Sequence, residues 1–170
     1  MATTYEAIAT VTVGSGGASD ITFSSIPGTY TDLAILISAR TNRGDTNDVI
    51  RLQFNGSTSS YSYRLLYSDG SSVGTEAGTP TYIDYAGYIT GNLATASVFG
   101  NVSIYIPNYT SSSNKSVSAD GAGETNATGV SRGLNAGLWS NSSAITSVKI
   151  FAIGSFSQYT TATLYGIKNS

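Results

Sequence analysis

The side chains that most often do chemistry are scarce in this sequence. Its 170 residues include no His and no Cys. That removes the commonest general base, the Ser-His and Cys-His nucleophile pairs, and any thiolate metal site. Two carboxylates flanking a glycosidic bond are the hydrolytic arrangement still open to it. Of the ten acids, however, Asp45, Asp48, Asp69, Asp120 and Glu124 fall in segments expected to be turns. Asp32 and Asp84 are the strand-borne pair that could point inward, and no spacing joins them. The sequence is therefore expected to be non-enzymatic, with no catalytic, cofactor-binding or metal-binding residues.

Recognition chemistry is better represented. Arg43-Gly44-Asp45 matches an integrin-type adhesion tripeptide, but a three-residue match has little specificity and Gly-Asp is an ordinary turn pair. A plain turn between two strands is expected there. Asp45, Asn47 and Asp48 carry oxygens suited to Ca²⁺ but lack the EF-hand spacing and its terminal Glu, so a solvated loop is the expectation. Among twelve tyrosines, Tyr61, Tyr63, Tyr67, Tyr82 and Tyr85, with Tyr88 and the single Trp139, are the candidates for an interaction surface, because aromatic faces stack on sugars. The same residues follow strand periodicity, where a Tyr buries its ring and finds a partner for its hydroxyl. A core or subunit-interface role is thus expected, with glycan contact as the alternative. Trp139 is expected beside Leu134 and Leu138 in the core, or at a subunit contact.

The elements that would position these residues announce themselves by period-two alternation. Tyr5, Ala7, Ala9, Val11 and Val13 share a face. Ile21 and Phe23 alternate, a corner at Ile26-Pro27-Gly28-Thr29-Tyr30 interrupts, and Leu33, Ile35, Ile37 and Ala39 alternate again. Ile50, Leu52 and Phe54 lead into Asn55-Gly56, a strong reverse-turn signal, and Tyr61, Tyr63, Leu65 and Tyr67 return. Residues 81–90 look β-like, and Ala96, Val98, Val102, Ile104 and Ile106 look like one long strand ended by Pro107. Residues 108–129 are polar and loop-rich, with a short strand at 115–119. Final strands are expected over 130–139, 145–153 and 159–167. Roughly nine or ten strands with frequent turns predict an all-β fold, an antiparallel two-sheet sandwich of jelly-roll type, forming one domain over residues 1–170.

Composition narrows the partners. Charged residues make up 11% of the chain, the net charge is −2 and the pI is about 4.8. Eight basic residues are scattered, with Arg40 and Arg43 the one close pair, which is no footprint for nucleic acid. No apolar run approaches the ~20 residues that span a bilayer, and the polar start has no signal-peptide pattern. Synthesis in the cytosol, with no membrane partner, is expected.

Four segments taken together carry a resemblance: "SDITFSSIPGTYTDLAI" (19–35), "IRLQFNGSTSSYSYRLLY" (50–67), "GLWSNSSAITSVKI" (137–150) and "YTTATLYGIK" (159–168). In this order they resemble a group of small structural proteins of tailed bacteriophages, especially cyanophages and other marine phages. The likeness covers most of the chain and is weakest through 108–129. It rests on strand-and-turn patterns, and it carries no catalytic residue. It implies a virion component assembled in the host cytoplasm, with the major capsid protein or other virion proteins as partners. A capsid decoration (cement) protein, in a closed homo-oligomer such as a trimer, is the first function implied. A tail-fibre or receptor-binding module recognising host glycan is the second, and a free carbohydrate-binding module the third.

Overall fold

Apolar side chains at every second position become strands here, because each such strand buries one face and leaves the other to Ser, Thr, Asn and Gly. The computed structural model describes residues 4–124 and 130–168. Among them lie thirteen strands: β1 (Tyr5–Thr12), β2 (Ala18–Phe23), β3 (Asp32–Ala39), β4 (Asn47–Val49), β5 (Arg51–Phe54), β6 (Tyr61–Ser68), β7 (Val73–Gly78), β8 (Tyr88–Thr90), β9 (Gly100–Ile106), β10 (Lys115–Glu124), β11 (Val130–Trp139), β12 (Val148–Phe156) and β13 (Thr161–Ile167). There is no helix among the described residues.

Eight strands form one sheet in the order β1-β13-β3-β9-β10-β11-β6-β7. A three-stranded sheet, β2-β12-β5, and the β4-β8 pair cover its inner face. Every strand-to-strand pairing is antiparallel. The fold is an all-β sandwich. Leu33, Ile35, Leu52, Phe54, Ile104, Ile106, Val148, Ile150 and Leu164 meet in one core between the layers.

The corner at residues 26–30 carries the chain from one layer to the other. β2 belongs to the small sheet and β3 to the large one. Ile26 is buried, its N–H donating to the Thr146 carbonyl at 3.0 Å, and the Tyr109 hydroxyl donates to the Pro27 carbonyl. Asn55 and Gly56 both take positive φ, 51° and 67°, as the turn between β5 and β6 requires.

The middle of the large sheet departs from expectation. Residues 108–129 are expected to be loop-rich with a short strand at 115–119; that strand is present but runs on to Glu124 as ten-residue β10, paired with β9 and β11 at the sheet's centre, and residues 125–129 lie outside the described region. Asp120 and Glu124 therefore stand on a strand. The alternation of β10 is hard to see because its inward residues include Lys115, Gly121 and Gly123. Those glycines have a packing purpose. A Cβ on Gly121 would stand 2.7 Å from the Gly87 Cα, and one on Gly100 2.7 Å from the Ile89 Cα. At Gly137 it would meet Ile83, and at Gly133 the Tyr88 ring. Side-chain-free positions on β9–β11 thus let segment 83–90 lie directly on the sheet.

Other expectations also need correction. The long strand from Ala96 begins only at Gly100, because 92–98 wrap around Arg40. The β-like stretch 81–90 yields only the three residues of β8, and the strand expected from 145 begins at Val148. A register shift between Ala7 and Ala9 breaks the shared face proposed for β1, which pairs at the sheet's edge.

Candidate functional site

The acids are held by structural partners. Asp48, fully buried on β4 rather than in a turn, accepts from the Thr41 hydroxyl at 2.8 Å and from the Val49, Ile153 and Gly154 amides. These bonds tie β4 to β12. Arg43 reaches Asp45 at 3.2 Å and Asp48 at 3.8 Å, so the cation between these carboxylates is a guanidinium. The Arg43-Gly44-Asp45 tripeptide is closed on itself, and Asn47 donates to the Ser131 hydroxyl at 3.1 Å. No three potential acidic metal ligands gather among the described residues.

Asp32 and Asp84 do not form a pair. Asp32 accepts from the Tyr105 hydroxyl at 2.7 Å and the Asn108 amide at 2.8 Å. Asp84 lies off-strand, bound to Arg51 at 2.9 Å and set against β11. β3 and β11 are three strand spacings apart, about 14 Å.

Arg40 is the other buried organiser. Its guanidinium donates to four carbonyls, those of Thr95 (2.7 Å), Val98 (3.1 Å), Asn92 (3.2 Å) and Ala94 (3.0 Å). It therefore shapes the 91–99 segment without a carboxylate partner in these bonds.

The candidate aromatic residues divide into three groups. Tyr61, Tyr63 and Trp139 are buried at 3%, 7% and 1% exposure, which withdraws them from any surface. Trp139 stacks on Tyr61 (6.0 Å, 16°) and packs on Phe54 (5.7 Å). Leu134 is exposed on the opposite face of β11, so it is not the neighbour expected for Trp139. The Tyr61 hydroxyl accepts from the Phe54 amide at 2.8 Å. Tyr82 packs edge-on against Phe151 at 5.2 Å and under the Arg51 guanidinium at 5.0 Å.

Tyr67, Tyr85 and Tyr88 make up the third group and are half-buried. With Arg43, Asn47, Asp69 and Ser131 they line a cleft of about 270 Å³. Burial first, then the charges of Glu76 and Asp84, pushes the Tyr63 phenol beneath this group up to about 12. Burial followed by the neighbouring Tyr85 and Glu76 does the same to Tyr88, also to about 12.

A broader surface lies on the outer face of the large sheet. The strand registers align Leu36, Ser103, Asp120, Leu134, Leu66 and Thr75 in one cross-strand row. A parallel row runs Tyr105, Ser118, Ala136, Arg64 and Ala77. Leu36, Leu66, Leu134 and Tyr105 are 50%, 45%, 61% and 40% exposed. Two adjoining hollows of about 680 and 320 Å³ share Leu66, Asp120 and Leu134. Small residues floor this face and leucines stand above it, an arrangement suited to contact rather than bond-making.

Sequence reasoning missed this face because its leucines are outward partners of alternating strands whose inward residues drew attention. Leu66 and Leu134, adjacent across β6 and β11, could have been suspected as apolar residues out of phase with Leu65 and Trp139. No family model matches the chain, and no curated protein is significantly similar to it in sequence.

Proposed function

We propose that this chain is a non-enzymatic virion structural protein, a capsid decoration protein that binds across major capsid subunits through the outer face of its eight-stranded sheet. The exposed row of Leu36, Leu134 and Leu66, with Tyr105 beside it, is the observation that carries this reading. Leu66 and Leu134 are direct cross-strand neighbours, while Leu36 and Tyr105 form a second exposed pair beyond Ser103 and Asp120; exposed apolar surface of this kind marks a place for a partner. The resemblance to tailed-phage virion proteins supplies the kind of partner. Low charge and abundant Ser and Thr suit broad polar contacts around such a patch. Binding as a closed oligomer, a trimer in this reading, would multiply weak contacts over a symmetric shell. The jelly-roll-like description of the sandwich belongs to the same proposal.

Particles assembled without the protein test this. They should lose DNA more readily under heat or osmotic shock than complete particles, and adding the purified chain should restore them. Equal robustness with and without it would count against cementing.

A further inference from the structure

We infer that the cleft between Tyr67, Tyr85 and Tyr88 is a binding site for one neutral pyranose ring, a terminal hexose of a glycan. This goes beyond the packing role of the sheet face and does not depend on it. The rings of Tyr67 and Tyr88 are 6.5 Å apart at 49°, and those of Tyr85 and Tyr88 6.0 Å apart at 52°. Inclined aromatic walls of this kind offer apolar faces for the C–H side of a sugar and hydroxyls for its edge. At about 270 Å³ the space lies just below the ~300–1,000 Å³ of pockets for drug-sized ligands, which suits a single ring.

The rim supplies matching polar groups. Because Asn47 donates its amide to Ser131, its carbonyl oxygen is left to accept and the Ser131 hydroxyl to donate. Asp69 accepts from the Ser71 and Ser72 amides, each at 2.8 Å, which fixes its carboxylate as an acceptor. The nearby cation, Arg43, is already paired with Asp45 and Asp48. A neutral sugar therefore fits better than a sialic acid or a phosphate.

The site is also built in advance. Tyr85 sits at φ 53°, a conformation a bulky residue adopts only when its surroundings hold it there. Asn135 donates to the carbonyls of Asp84 and Tyr85 at 2.9 and 3.1 Å. The Tyr85 amide bonds Asp84 at 3.0 Å, which Arg51 fixes in turn. A ring positioned this way need not be ordered by the ligand.

Saturation-transfer NMR on the full chain, with methyl glycosides of glucose, galactose and mannose as probes, tests the assignment. N-acetylneuraminic acid and inorganic phosphate serve as charged comparisons. At least one neutral glycoside should bind, with a dissociation constant on the order of 1 mM for so small a ligand. Tyr88→Ala should weaken it about tenfold or more. If that variant does not fold, Ile153→Arg, at an exposed rim position, should give the same loss by filling the mouth. Tyr5→Ala, on an exposed tyrosine of β1, should leave binding unchanged. No transfer to any neutral glycoside at about 10 mM, binding of the charged probes alone, or full binding by Ile153→Arg would overturn the assignment.

Discussion

At the scale of single residues, buried polar side chains act as fasteners. Arg40 donates to four carbonyls of the 92–98 segment, and hydrogen bonds from a charged group are among the stronger ones. Arg40→Met should destabilise the fold by about 3 kcal/mol, as read by chemical denaturation, and should raise hydrogen exchange in 91–99 before the rest of the molecule. A loss below about 1 kcal/mol would mean these bonds are readily replaced by water. The tyrosines set a pH limit. Tyr63 and Tyr88 hold their protons to about 12, whereas an unfolded tyrosine releases its own near 10. Above pH ~10 the unfolded chain therefore binds fewer protons than the folded one, and stability falls as pH rises from 10 through 12. Ultraviolet titration should show the Tyr63 and Tyr88 phenols ionising only well above pH ~10, as alkaline unfolding begins. Ionisation of all twelve in one step near pH 10, with the fold intact, would contradict this.

At the scale of elements, the inward glycines of β9–β11 decide how closely the covering layer approaches. Gly121→Ala places a methyl 2.7 Å from the Gly87 Cα, where only backbone movement can relieve it, and should cost about 2–4 kcal/mol in thermal or denaturant unfolding. Gly16→Ala, in open space, should change stability by no more than about 0.5 kcal/mol. Equal effects would show that 83–90 is not seated on the sheet. The contrast also explains what the sequence made legible. Strands with branched or aromatic residues on one face, such as β3, β5 and β6, could be placed with their inward sides correct. Only the 115–119 half of β10 could, because Gly, Ala and Ser at its inner and outer positions give little hydrophobic contrast. Asp48 looked like a turn residue because its burial depends on amides from β12, about a hundred positions later. Likewise the cleft tyrosines could be named from composition, but only the folding of 83–88 onto β11 separates Tyr67 and Tyr85 from buried Tyr61 and Tyr63. Nothing in local pattern shows that layering.

At the scale of the whole molecule, one layer is sealed between sheets while the outer face of the large sheet keeps its leucines in solvent. Leu66 and Leu134 contribute little to the fold from there, so Leu66→Ser with Leu134→Ser should alter stability by about 0.5 kcal/mol or less yet weaken attachment to particles at least tenfold. Because the face is mostly uncharged, attachment should also survive a rise in salt that screens ion pairs. Strong salt-induced release would point to the scattered Arg and Lys residues instead. In the function proposed above, this face packs against a capsid. A reconstruction of the intact particle should show many symmetry-related copies on the head, with β3, β6, β9 and β11 turned toward major capsid subunits. A few copies at the tail, or head-bound copies with this face open to solvent, would contradict it.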